Sequence, residues 1–154
     1  MKTEILRPGN AGIKKAVKIL KKGGVLVYPT ETAYGLGCDA ENSKAVKKVY
    51  GIKKRSSKKP LSVIFGSLRN AEKYVNLDNT GMRLVKTFMP GPLTLVVKPK
   101  KKLASSTINE IAFRIPSNSF AKTLAKKFGK PITATSANIS GEEPIYGFEK
   151  VLNL

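Results

Sequence analysis

The sequence predicts an α/β chain, a twisted mixed or largely parallel sheet with flanking helices. Apolar residues switch along the chain between helical spacing, as at Ile13, Ala16, Val17 and Leu20, and short continuous runs such as residues 25–28 and 61–65. Glycine, proline and capping residues fall between the two kinds of segment. With 154 residues, 41% of them hydrophobic, and no repeat or low-complexity linker, the chain has material for one core, so a single domain over 1–154 is expected.

The first helix carries Ile13, Ala16, Val17 and Leu20 with lysines between them, and Gly23-Gly24 stops it. Residues 25–28 read as a buried strand that Pro29 ends, since proline cannot donate to a ladder. Thr30, Glu31 and Thr32 then stand at a sheet edge, and Gly35 and Gly37 suit a sharp turn or a close approach to a ligand. Asn42 or Ser43 can cap a helix bearing Ala45, Val46, Val49 and Tyr50, with Gly51 closing it before a basic loop over 53–60. Residues 61–65 follow as a strand, then a helix capped by Ser67 and another started by Asn79 or Thr80, which Pro90-Gly91-Pro92 breaks. Strands are expected at 93–97, 111–115 and 131–135, with a helix capped by Ser117 or Ser119 and ended at Gly129 before the last of them. Phe148, Val151 and Leu152 look like the start of a final helix.

Charge is the strongest compositional signal. Lys and Arg number 29 against 10 Asp and Glu, a net charge of +19, so the surface attracts polyanions such as nucleic acid, nucleotides or an acidic membrane. A lysine-rich solvated surface has the same composition. Histidine is absent, which removes Ser-His and Cys-His nucleophile pairs and histidine metal sites. Cys38 is alone, so no disulfide framework or thiolate cluster forms, and a reducing, cytoplasmic setting is expected. No apolar run approaches a membrane span, and no signal-peptide core opens the chain.

Known nucleotide motifs fit poorly. Gly35-x-Gly37-x-x-Ala40 begins too far past its strand for a dinucleotide fingerprint, and no Walker A pattern is present. A triphosphate would have to be held by dispersed cations and backbone amides. Lys53 and Arg55 alternate, so an extended loop would point both the same way; a solvated basic loop has the same spacing. Ser136 and Asn138, two apart after a strand, suit either a ligand contact or a side-chain turn. Glu31 suits either a metal or amine contact or a cap on local amides.

Six motifs occur in order: Pro29-Thr-Glu-Thr-Ala-Tyr-Gly-Leu-Gly37, Lys53-x-Arg55, Lys59-Pro-Leu61, Pro90-Gly-Pro-Leu-Thr94, Phe113-Arg-Ile-Pro116 and Thr135-Ser-Ala-Asn-Ile-Ser-Gly141. Together they resemble the Sua5/YrdC family of threonylcarbamoyl-AMP synthases, in its single-domain branch. The resemblance implies a YrdC/RibB-like fold with a basic cavity, and a nucleotidyltransferase that joins L-threonine, bicarbonate or CO2 and ATP into L-threonylcarbamoyladenylate with release of pyrophosphate. A downstream threonylcarbamoyl transferase machinery would then carry the group to tRNA. Carried over by motif, Thr32 and Asn118 would bind threonine, while Lys53 and Arg55 would be catalytic and, with Lys59, line the triphosphate. Arg114, Ser136, Asn138 and Pro144 would complete the ATP site, with Mg2+ as companion ion.

This sequence departs from the family pattern at Ile64 and Asn118, where relatives often have histidine, and it stops at Leu154, short of the family's last strands. Two rivals use the same residues differently. A non-catalytic RNA-binding module would need only the basic surface, docking on tRNA or double-stranded RNA. Carbamoyl-adenylate chemistry of the hydrogenase-maturation type would need acylphosphatase-like and zinc-finger segments, which this sequence lacks.

Overall fold

A computed structural model of the chain describes residues 3–106 and 109–151. In chain order the elements are α1 (Asn10–Lys21), β1 (Leu26–Tyr28), β2 (Gly35–Gly37), α2 (Ser43–Lys53), β3 (Val63–Ile64), α3 (Leu68–Ala71), α4 (Asn79–Phe88), β4 (Leu95–Val97), β5 (Ile111–Arg114), α5 (Ser119–Phe128), β6 (Ile132–Thr133), β7 (Thr135–Ser136) and α6 (Phe148–Val151). The strands form two short sheets, ordered β1-β2-β7 and β4-β5-β3-β6. Only β3 and β5 run parallel; the other pairs are antiparallel, so the mixed sheet expected is present and a largely parallel one is not.

The sheets meet at one corner. Residues 131–135, expected as a single strand, divide between them: β6 pairs with β3, β7 pairs with β2, and Ala134 makes the step between. Ser62 fixes that step from both sides, its carbonyl accepting from the Ala134 amide at 2.8 Å and its hydroxyl donating to the Ala134 carbonyl at 2.5 Å. Beyond Gly37 the chain runs on against β6, with Thr133 donating its amide to Cys38 and the Thr133 hydroxyl accepting from the Cys38 amide, both at 2.9 Å.

Gly35 and Gly37 are strand residues, so the sharp turn they also suited is not made there, while Gly35 does line the cavity described below. A side chain at Gly37 would lie 2.6 Å from both the Thr133 carbonyl and the Tyr28 ring, so glycine is needed there for packing rather than for a bend. Tyr28 is buried under β2, and its hydroxyl donates to the Thr133 carbonyl at 3.0 Å, tying one sheet to the other. β1 itself is an edge strand with Val27 37% exposed, so the apolar run is only half buried.

Three apolar clusters fill the space between elements. One gathers Phe65, Tyr74, Val85 and Phe113 beside the four-stranded sheet. A second joins Ala16 and Leu20 of α1 to Ala121 and Leu124 of α5, and a third packs Ala45, Val46 and Val49 of α2 against Leu36 and Leu61. Burial of side chains of this size stabilises the fold by roughly 1.5–3 kcal/mol each, before the entropy of ordering is subtracted.

Helix ends follow the capping rules with small displacements. Asn42 and Ser67 cap as expected. Asp78 caps α4, one residue before the expected start, because its carboxylate accepts from the Gly81 amide at 2.6 Å. α2 runs through Gly51 and ends at Lys53, with Lys54 in the left-handed conformation at φ 49°. That extra half turn carries Lys53 inward. α6 begins where expected; Leu152 lies outside the described residues.

Candidate functional site

The end of β1 opens into a loop built by one hydroxyl. Thr30 Oγ1 accepts from the amides of Thr32 and Ala33, both at 3.2 Å, and donates to the Ala33 carbonyl at 2.5 Å. Such a turn is what threonine makes when it competes with the ladder for backbone groups. The loop lines a cavity of about 290 Å3 together with Ser62, the β3 residues Val63 and Ile64, residues 134–136, Pro144 and Tyr146.

Arg114, at the end of β5, is the cavity's organising cation. Its Nε and Nη2 donate to Thr94 Oγ1 at 3.2 and 3.1 Å, while Nη1 donates to Glu31 Oε1 at 3.1 Å and to Thr32 Oγ1 at 3.4 Å. The other carboxylate oxygen, Oε2 of Glu31, accepts from the Asn118 amide at 3.2 Å. Glu31 therefore pairs with a guanidinium and receives a backbone amide from a distant loop rather than capping local amides. Among the described residues lining the cavity, Arg114 is the one cation besides which Glu31 is the one acid, so the positive excess of the chain lies outside the lining.

Expected site residues divide into two groups. Thr32, Arg114, Ser136 and Pro144 line the cavity together. Lys53, Arg55, Lys59, Asn118 and Asn138 do not. Asn118 instead caps α5, where the expected caps were Ser117 or Ser119; its side-chain oxygen accepts from the amides of Phe120 and Ala121 at 3.0 and 3.1 Å. Lys59 is exposed, and its carbonyl accepts from the Tyr50 hydroxyl.

Lys53 sits under the turn that follows β7. It is 2% exposed, and Nζ donates to the Ser136 carbonyl at 2.5 Å, the Asn138 carbonyl at 2.7 Å and Asn138 Oδ1 at 3.0 Å. An ammonium has three protons, and all three have acceptors here. Burial, with the nearby charge of Arg55 adding to it, pulls the Lys53 pKa below the ordinary lysine value. In this arrangement Lys53 holds the Ser136–Asn138 turn in place, and its charge is not offered to a phosphate. Arg55 is less committed: Nη2 donates to the Pro60 carbonyl at 3.1 Å, and its buried Nε has no partner among the described residues.

Sequence reasoning missed Thr94, Tyr34, Ser62 and Tyr146 as parts of the site. Thr94 lay inside a quoted motif, yet a threonine at a strand start gives no sign that it will meet a guanidinium from another strand. Cys38 is buried against Thr133, and burial pushes its thiol up to about 11, which leaves it a poor nucleophile near neutral pH.

The model of a family described as telomere recombination, that of the Sua5, YciO and YrdC proteins, matches residues 18–153. The chain belongs to the Sua5/YciO/YrdC family. Within it, the chain is 36% identical to the threonylcarbamoyl-AMP synthase of Aliivibrio fischeri, over 86% of this chain and 75% of that relative. It is 38% identical to a protein of Methanocaldococcus jannaschii named as a putative threonylcarbamoyl-AMP synthase, over 84% of this chain and 64% of that relative. Among solved structures, P. abyssi Sua5 complexed with L-threonine superposes with a TM-score of 0.90 at 31% identity, over 96% of this chain and 44% of that one. E. coli YciO gives 0.84 at 31% identity, over 96% of this chain and 74% of its own. The Sua5/YciO/YrdC chain described here thus spans less than half of the P. abyssi protein.

Proposed function

We propose that this chain is a threonylcarbamoyl-AMP synthase, and that the cavity beside Arg114 is where L-threonine, bicarbonate or CO2 and ATP meet. Its support is the Arg114 constellation: one guanidinium held between Thr94 and Glu31, with the Thr32 hydroxyl in reach, in a family whose relatives carry that name. A planar fork already oriented by two partners receives a carboxylate with little ordering left to do. Thr32 and Arg114 hold the amino acid; Ser136 and Pro144 contact the nucleotide.

The chemistry needs position more than strong acids or bases. The threonine amine, once neutral, attacks CO2 to form a carbamate; a carbamate oxygen then attacks the α-phosphorus in line with the departing pyrophosphate. Charge builds on the leaving group, and Arg55 and Lys59, cations of the basic loop outside the cavity lining, would meet it. Lys53 contributes by holding the turn that carries Ser136 and Asn138. Among the described residues no group of three or more His, Cys, Asp or Glu gathers to cage a metal. Mg2+ would come held on the triphosphate oxygens and would neutralise phosphate charge there.

The product would pass to a transferase that modifies tRNA in the cytoplasm, and the +19 charge would draw RNA toward the protein. Among the described residues no helix is long and apolar enough to cross a membrane. A purely RNA-binding role leaves the Arg114 constellation without a purpose. The test is pyrophosphate release from ATP: the synthase reading requires release that depends on both L-threonine and bicarbonate, and release without either, or none with both, overturns it.

A further inference from the structure

We propose that Tyr146 is the nucleobase platform of the cavity, its ring taking one face of the adenine of ATP. This rests on the synthase reading above and adds the residue that recognises the base. Residues 138–146 form an arch that is pinned along its length and brings Pro144 and Tyr146 to the cavity lining. Asn138 Nδ2 donates to the Glu142 carbonyl at 2.6 Å, the Ser140 amide donates to the Lys53 carbonyl at 2.9 Å, and the Tyr34 amide donates to the Ile145 carbonyl at 2.9 Å. The last of these bonds fixes the residue between Pro144 and Tyr146, both of which line the cavity.

Tyr146 is 68% exposed, too open to be a core residue, and its hydroxyl has no partner among the described residues. A large ring in the cavity lining, next to a residue whose backbone is tied down, offers a flat apolar face. The polar and aromatic parts of the cavity are separated along one loop. Arg114 reaches the loop at Thr32, whereas the arch meets it at Tyr34. A charged amino acid belongs at the first point, and an uncharged planar group at the second. Stacking of a base on an aromatic side chain is strong enough to matter and demands no hydrogen-bond pattern.

The experiment is calorimetric titration of the wild-type chain, Tyr146→Ala and Tyr146→Phe with AMP, and separately with tripolyphosphate, which has no base. AMP affinity is expected to fall about tenfold in Tyr146→Ala and to be retained in Tyr146→Phe, while tripolyphosphate binds all three alike. Equal AMP affinity in wild type and Tyr146→Ala, or an equal loss in Tyr146→Phe, overturns the platform and leaves the synthase reading standing. A parallel loss of tripolyphosphate in Tyr146→Ala means the arch itself has moved, and also overturns it. A wild-type chain that binds neither AMP nor ATP removes the synthase reading together with this inference.

Discussion

Lys53 and Asn138 are joined twice, the buried ammonium donating to the Asn138 carbonyl at 2.7 Å and to its side-chain oxygen at 3.0 Å. The link closes a ring, because the Lys53 carbonyl in turn accepts the amide of Ser140. A sequence pair that invites reading as a phosphate clamp is therefore split in this fold: Lys53 braces a turn, and Arg55 turns to the Pro60 carbonyl.

Replacing Lys53 by Met should accordingly damage stability as well as activity. Truncation leaves the Ser136 and Asn138 carbonyls without their donor, a loss of about 3 kcal/mol for a buried charged partner. A thermal unfolding midpoint unchanged from wild type would contradict this. The pH dependence has a defined sign. The folded-state pKa lies below the ordinary 10.5, so between the two values the unfolded chain binds more protons than the folded one, and stability attributable to Lys53 rises with pH in that window. Measured against Lys53→Met, wild type should gain stability as the pH approaches 10.5.

Arg114→Lys should fail to rescue what Arg114→Ala removes. The guanidinium serves Thr94, Glu31 and Thr32 at once from one plane, whereas an ammonium is a point charge on a flexible stem. Loss of such a contact corresponds to about 3 kcal/mol of barrier, roughly a hundredfold in threonine-dependent pyrophosphate release. Near-normal turnover in Arg114→Lys would show that charge alone suffices.

Glu41 offers a second pH test on the far side of the fold. Burial opposes its ionisation, but hydrogen bonds from Lys101 and then Lys130, with their charges, outweigh that and hold its pKa below the ordinary carboxylate value. A depressed carboxylate contributes stability above its unfolded pKa of 4.5 and loses it as pH falls through the folded value. The stability difference between wild type and Glu41→Gln should thus be present at neutral pH and vanish in acid. Urea unfolding at several pH values measures it, and a difference that persists in acid refutes the assignment.

Two glycines should respond in opposite directions. Gly37→Ala forces a methyl to within 2.6 Å of the Thr133 carbonyl and the Tyr28 ring, and is expected to destabilise by about 2 kcal/mol. Gly51→Ala adds a methyl in open space within α2 and should stabilise by about 0.5–1 kcal/mol. Chemical denaturation of both variants checks the pair; equal signs would discredit the packing described at β2.

Helices were the legible part of this sequence. Ile13, Ala16 and Leu20, or Leu124, Ala125 and Phe128, announce a buried face by spacing alone, and the structure buries those residues, with Phe120 only half buried. The strands were read less well, because most are only two or three residues long and cannot display an alternation. β2 is hidden by its two glycines, and β6 and β7 are fused in the sequence because nothing in Ile132 to Ser136 marks a change of sheet. At the site, Thr32 and Arg114 were identified through a motif, whereas their meeting with Thr94 and Glu31 depends on residues about 20 and 83 positions apart. The contacts of Lys53 with Ser136 and Asn138 were hidden for a related reason. Whether a lysine faces solvent or carbonyls is decided by where its helix ends, and α2 ends two residues later than Gly51 suggested.

The step at Ala134 acts as the spine of a half-open book whose two pages are the sheets. Since Ser62 grips that residue by both its amide and its carbonyl, the angle between the pages is set locally by one peptide unit. A substitution at Ser62 or Ala134 would weaken that grip or the packing beside it. An added residue, by contrast, would slide the page bearing Ser136 past the one bearing Arg114, and the two halves of the cavity would no longer face each other.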